Sequence, residues 1–519
     1  MNSESAFVSR ARIPSGSQLF FCFHALLVLS ALVPCLRGTP KATYGLLVAT
    51  LAPGALFSLV LSYRQRVVLS IKHVWGQFAE YPSQTKRIPW LATLSLVVLP
   101  SGLLFLARES NIVAFDSGPV VPTAVSLVTH GDCDISSYVD LCGKCYSITD
   151  VVEDPYFAKR AGLAYYSAYP AGMVPFAVPS VAIARLLHAD FNDMGTITRI
   201  EKWTASWVAA LALGLFFLIA LHVVDPAPAA IMTLILATGS VVYTTIGQGL
   251  WQHGGVILWG LLVFLLELDT SDRIRLSALA AQGFACAMML ACRPTAGTFA
   301  VSFTLWLSLR SPRRGVIFAS ATLVAYLPWA LFYQLLYGSI IGPTVSQTAM
   351  TNWQSLSLDS VAKVLFSPGR GVFVYQPWLA LSIIGLIGLV CPRAAIPSRV
   401  PLPRGCTLFC LAFAATHLAV ISSWKCWWGG HCWGSRLASE AVVFAALLCL
   451  KPTALLWAMP MGRRLVLAVA LASSLFHIPA VYLRQDRWNT VLSDSPAAAT
   501  PRLCSWSDPP FLYGYTHRR

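Results

Sequence analysis

Asp116 stands in Phe115-Asp116-Ser117-Gly118-Pro119, directly after the apolar run Ile112-Val113-Ala114-Phe115 and at the head of a long polar loop. A carboxylate between apolar walls can take a proton as a general base. Asp is also a favoured helix N-cap, so a local structural role is open for the same residue. The loop it opens closes in Tyr165-Tyr166-Ser167-Ala168-Tyr169-Pro170, where Tyr169 can donate a phenolic hydrogen bond. Three later clusters carry groups that suit a sugar or a phosphate. Gly249-Leu250-Trp251-Gln252-His253-Gly254 pairs an aromatic face with an amide and an imidazole, or is an aromatic anchor at a membrane interface. Ser367-Pro368-Gly369-Arg370 turns an arginine outward, able to grip a phosphate through two parallel hydrogen bonds or to snorkel. Trp424-Lys425-Cys426-Trp427-Trp428-Gly429-Gly430-His431-Cys432-Trp433-Gly434-Ser435-Arg436 sets four tryptophans among Lys425, His431 and Arg436. That density exceeds an ordinary interfacial belt. It suits a sugar on a lipid phosphate, with Trp428 among the candidate binding residues.

What must position these groups is a membrane bundle. Of 519 residues, 56% are hydrophobic and only 11% charged, and the mean hydropathy is +0.65. A soluble chain carries roughly 25% charged residues. Apolar stretches long enough to span a bilayer read as 18–36, 43–62, 89–107, 172–188, 202–222, 250–268, 276–292, 296–310, 315–338, 373–392, 405–423, 437–459 and 465–483. The first has no small-residue cleavage site after it and reads as a retained helix. A further apolar piece lies at 227–245.

Short loops rich in Lys and Arg belong in the cytoplasm. These are 63–88, 189–201 with Lys202, 271–275, 310–314, 391–404 and the Arg463-Arg464 pair. Loops 108–171, 339–372 and 424–436 and the C-terminal tail then lie outside. With 202–222 running outward and 250–268 inward, the piece 227–245 must be a re-entrant hairpin of half depth. The expected fold is an all-α polytopic membrane protein of about 13 spans plus that hairpin, N-terminus in and C-terminus out. Residues 1–88 form a helix pair with a basic loop, 89–485 the main module, and 486–519 an outer tail. The net charge of +15 is accounted for by the loops and calls for no nucleic acid.

Six of the 14 cysteines (Cys133, Cys142, Cys145, Cys426, Cys432 and Cys504) fall in segments placed outside. An even number there points to disulfides, with the pairing open; the plainer reading of the tryptophan loop is interfacial anchoring plus a Cys426–Cys432 bridge. Cys142-Gly143-Lys144-Cys145 is half a metal motif without its second half, so no metal and no other cofactor is indicated. Nucleotide loops, metalloprotease motifs and nucleophile elbows are missing from the sequence. There is no strong internal repeat of the transporter kind.

In this order the clusters resemble the integral-membrane glycosyltransferases of the GT-C superfamily, close to family 39, the protein O-mannosyltransferases and the lipid A aminoarabinose transferase. The likeness rests on DSGPVVPTAVSLVTHGDCDISSY with YYSAYPAGMVPFAVPS, on GLWQHGG, on LFSPGRGVFVYQPW and on WWGGHCWGSRLASE, between about residues 112 and 445. The resemblance implies a polyprenyl-phosphate sugar donor and a lipid, glycan or protein acceptor hydroxyl. It implies reaction with inversion on the outer, periplasmic face of a bacterial inner membrane. Asp116 then occupies the place of the catalytic acid residue, acting as base. Arg370, Lys425 or Arg436 holds the donor phosphate. Many members carry two adjacent acidic residues where this chain has Asp116-Ser117. The alternatives are a transporter or flippase for lipid-linked glycans, or a non-catalytic protein that binds them.

Overall fold

The structure is a computed structural model. It describes residues 93–107, 116–146, 155, 157–270, 275–343, 352–383, 404–430, 432–482, 488–489 and 495–516. All of these belong to the compact unit Ile88–Arg519, and the unit Met1–Arg87, with the expected spans at 18–36 and 43–62, lies outside them.

The described chain is mostly helical. A π-turn at Leu94–Val98 leads into α1 (Leu99–Leu106). After Asp116 come α2 (Val120–Thr129), α3 (Ser136–Tyr146) and an antiparallel hairpin of β1 (Ala158–Ala161) and β2 (Ala164–Ser167). Then follow α4 (Val174–Leu186), α5 (Met194–Val223), α6 (Pro226–Thr238), α7 (Gln252–Thr270) and α8 (Leu276–Cys292). Next are α9 (Gly297–Arg310), α10 (Pro312–Tyr337), α11 (Leu358–Phe366) and α12 (Val372–Tyr375). Last come α13 (Arg404–Ser422), α14 (Ser439–Ala458), α15 (Pro460–Tyr482), α16 (Pro496–Leu503) and α17 (Pro510–Thr516). Among the described residues four helical stretches are long and apolar enough to cross a membrane: Met194–Val223, Pro312–Tyr337, Gly405–Ser422 and Arg436–Ala458.

Local chemistry sets the boundaries. Asp193 caps α5 by accepting from the amides of Gly195 at 3.1 Å and Thr196 at 2.8 Å. Pro226, Pro312 and Pro460 open α6, α10 and α15, where a missing N–H costs nothing. Rings from four helices fill the centre. Phe299 of α9 lies 5.2 Å from Phe409 of α13, and Phe413 lies 5.0 Å from Phe444 of α14. Phe264 of α7 stacks 6.0 Å from Phe409. Edge and stacked contacts at such distances add to area burial.

The bundle has two polar ends. At one lie Asp116, the start of α5, residues 247–252 and the loop before α14. At the other, Glu267 receives hydrogen bonds from Arg310 at 2.9 Å and Arg314 at 2.7 Å, between α7, α9 and α10. Gly172 lets the chain enter α4 against this scaffold: a Cβ there would lie 2.3 Å from the Ala291 carbonyl carbon.

The stretch 172–188, expected to cross, lies in the helical run Ala171–Leu186, shorter than the four stretches above. Its Arg185 guanidinium donates to the Val128 carbonyl of α2, so α2 and α4 pack side by side. The basic stretch ending in Lys202 was expected at the end of the bundle away from Asp116, but it forms the first turns of α5. There Glu201 accepts a hydrogen bond from Ser117, and Lys202 donates to the Gly247 carbonyl at 3.2 Å. Pairing inside the protein lets these charges sit in a helix where hydropathy reads a loop. With α5 starting at the Asp116 end, the half-depth hairpin has no reason to exist. The segment from Pro226 starts beside the end of α5 and returns to Gly247, whose carbonyl meets Lys202 and Ser206 near the start of α5. It runs antiparallel to α5 over most of that helix.

Candidate functional site

Asp116 is held from three distant parts of the chain. The Tyr169 hydroxyl donates to Oδ1 at 2.8 Å. Arg436 Nη1 donates to Oδ2 at 2.8 Å. Gln252 Nε2 donates to the Asp116 backbone carbonyl at 2.9 Å. The Asp116 side chain remains 28% exposed while that of Arg436 is 8% exposed, so the carboxylate is the member of the pair open to a ligand. Asp116 does not cap α2: the N-cap position is Pro119, with no side-chain cap bond. The local alternative to a chemical role is therefore not what holds this residue.

Arg436 lies over Trp251, with its guanidinium carbon 4.0 Å from the ring centroid. A desolvated cation over an indole face is held by about 2 kcal/mol. The Nε of Arg436 and the Nε1 of Trp251 are buried and lack a hydrogen-bond partner among the described residues.

Two residues past Trp251 and one helical turn past Arg436 lies a second rung. His253 Nδ1 is 3.0 Å from each Glu440 oxygen. Arg293 Nη1 donates to Glu440 Oε1 at 3.2 Å and lies 3.1 Å from His253 Nε2. His417 Nε2 completes the ring around Glu440 at 3.4 Å, and its Nδ1 faces the Thr298 hydroxyl at 3.1 Å. The side chains of Glu440, His253 and His417 are sealed from solvent. That of Arg293 keeps 17% exposure. Trp251 and His253 on one element thus face Arg436 and Glu440 on the other.

Of the residues singled out from sequence, Asp116, Tyr169, Trp251, Gln252 and Arg436 come into direct contact. His253 is one rung away, against Glu440. Arg370 is elsewhere. Its guanidinium donates to the carbonyl of Gly369 at 2.7 Å and to Asn489 Oδ1, and lies 5.3 Å from the Trp488 ring. It is 2% exposed, so it ties the C-terminal segment to the turn rather than presenting a cation. Lys425 is exposed, its backbone N–H bonded to the Asn352 carbonyl at 2.8 Å. Trp428 is buried, its ring 6.2 Å from that of Trp427. His431 lies outside the described residues. Gly434, at φ 72°, brings the tryptophan loop against Tyr375, where a Cβ would lie 2.9 Å from the ring.

The expected Cys426–Cys432 bridge is not formed. Cys432 carries a free thiol facing the Trp428 carbonyl at 3.5 Å, and Cys133 and Cys504 are free as well.

Arg293, Glu440 and Glu201 were not among the residues singled out. Arg293 sits in Cys292-Arg293-Pro294, a charge between two apolar runs, which is a usable signal for a functional group in a membrane protein. Glu440 follows the tryptophan loop by four residues, one helical turn past Arg436. Glu201 looked like part of a polar loop. No protein-family model matches the chain, and no curated protein matches it.

Proposed function

We propose that this protein is a membrane-embedded glycosyltransferase of the GT-C type. It moves a sugar from a polyprenyl-phosphate donor to an acceptor hydroxyl on the outer face of a plasma membrane, a bacterial inner membrane with the site on the periplasmic side. The observation that carries the reading is the partly open Asp116 carboxylate, joined by Arg436 and Tyr169 at one end of an apolar helical bundle.

Asp116 takes the proton of the acceptor hydroxyl while that oxygen attacks the anomeric carbon. The bond from that carbon to the phosphate oxygen breaks, and its electron pair leaves on the polyprenyl phosphate. Single displacement inverts the anomeric centre. The Arg436 guanidinium, backed by Trp251, faces the developing phosphate charge. Placement on the outer face is supported by charge: Arg275, Arg310, Arg313, Arg314, Arg463 and Arg464 gather at the opposite end, and a cytoplasmic position suits them.

The test is transfer by the full chain in lipid vesicles, from a panel of polyprenyl-phosphate sugars, read by product mass. Asp116→Asn, expressed and monodisperse, is expected to lose transfer by at least about a hundredfold, the scale of general-base catalysis. Full transfer by that variant removes Asp116 as the base. Donor crossing the bilayer with no covalent product replaces the enzyme by a flippase.

A further inference from the structure

Asp116 and the Trp251-Gln252 turn belong to loops far apart in the chain, and one buried carboxylate joins them. Glu201 Oε1 accepts from the Ser117 hydroxyl at 2.5 Å and from the Leu250 backbone N–H at 3.0 Å. Ser117 is the neighbour of Asp116, and Leu250 is the neighbour of Trp251. Gln252, one residue beyond Trp251, closes the loop of contacts by donating to the Asp116 carbonyl at 2.9 Å. Both walls of the site therefore hang from one oxygen atom.

The next residue works on the same turn from below. Lys202 Nζ reaches the Gly247 carbonyl at 3.2 Å and the Gln248 side-chain oxygen, and Gln248 Nε2 donates to the Tyr243 carbonyl at 2.9 Å. Glu201 and Lys202 are 7% and 3% exposed near the start of a helix whose later turns are apolar. Ionised groups at such positions are expensive to keep. A bundle that needed only packing would have apolar residues there. Gly249 explains how the carboxylate gets so close: a Cβ at that position would stand 3.4 Å from Glu201 Oε1 and 3.1 Å from Trp251 Nε1.

We infer that Glu201 is a positioning residue, which sets the angle of the Asp116 carboxylate toward Arg436 by tethering Ser117 and Leu250 to α5. Its carboxylate holds the Ser117 hydroxyl and the Leu250 amide. Its effect passes through the two backbones it fastens. The role rests on the proposed site at Asp116 but not on any particular sugar or acceptor.

The experiment labels carboxylates in the intact, detergent-solubilised full chain with a water-soluble carbodiimide and glycine ethyl ester. Peptide mass spectrometry reads Asp116, with exposed Asp359 as internal reference. In the wild type, Asp116 reacts slowly relative to Asp359 because Tyr169 and Arg436 occupy its oxygens. Glu201→Ala is expected to raise the Asp116 ratio at least threefold. Glu201→Gln, which keeps an oxygen for both donors, is expected to hold it near the wild-type value. Ser117→Ala, which loses one of the two tethers and leaves α5 intact, is expected to fall between them and serves if Glu201→Ala does not fold. An unchanged Asp116 ratio in the folded Ala variants overturns the inference. A ratio raised as much by Gln as by Ala also overturns it, since charge rather than tethering is then what matters. Because no sugar transfer is measured, a wild type inactive on every donor ends the glycosyltransferase reading and leaves this result standing.

Discussion

Asp116 and Arg436 stand 320 positions apart and meet at 2.8 Å through Oδ2 and Nη1. Arg436→Ala leaves Asp116 without its charge partner and uncovers Trp251. Breaking a fully buried ion pair costs about 3–5 kcal/mol. Because Asp116 is 28% exposed, a smaller loss of about 1–3 kcal/mol is expected after solvent screening. Arg436→Lys keeps the charge but not the planar guanidinium over Trp251 or its fork geometry. Both variants should lower sugar transfer, Ala by at least about a hundredfold. Equal transfer by the Lys variant and the wild type would show that charge alone suffices.

Glu440 serves His253, Arg293 and His417 at once. Glu440→Ala strands three polar groups in a sealed site, and a loss of about 3–5 kcal/mol is expected. Thermal unfolding in detergent checks it. A double-mutant cycle with His253→Ala should give a coupling of about 0.5–3 kcal/mol, as for residues in one network. Additive effects would mean that the rung is not a unit.

Trp488 is fully buried between two arginines, with the Arg370 guanidinium 5.3 Å and the Arg502 guanidinium 4.7 Å from its ring. Its Nε1 donates to the Asp508 carbonyl at 3.0 Å. Asn489 donates to the Cys432 carbonyl at 3.4 Å, so the segment also holds the tryptophan loop. Trp488→Ala is expected to cost about 3–5 kcal/mol and to speed limited proteolysis within 432–436. Unchanged cleavage there would separate the C-terminal segment from that loop.

Asp193, at the start of α5, is held below the usual carboxylate range by the Thr196 hydroxyl and by the amides of Gly195 and Thr196. A lowered folded value means that the capping contribution is complete above the unfolded value, near 3.9, and fades as pH falls through the folded one. Asp193→Asn keeps the cap without the charge. Its unfolding midpoint should therefore lie below the wild type at pH 7 and converge with it toward pH 3, followed by thermal unfolding between those limits.

A good part of this was legible in the linear chain. Spans of apolar residues appear without tertiary information, because crossing a bilayer or filling a bundle demands unbroken lengths of them. That is why α5, α10, α13 and α14 emerge where hydropathy peaks. The clusters around Asp116, Trp251 and Arg436 were visible because polar groups that break such lengths stand out. Charge counting failed at Glu201 and Lys202, because hydropathy scores a charge alike whether it faces water or a partner. Arg370 misled for the same reason: its acceptors, the Gly430 carbonyl and Asn489, are 60 and 119 residues away.

The sequence by itself determined that the chain is helical with stretches apolar and long enough to cross a membrane, and which of its residues are chemically capable. Only the tertiary structure decided which of them meet. Hydrogen bonds act over about 3 Å, and backbone packing brings Ser117 to Glu201 and Asp116 to Arg436 across 84 and 320 positions.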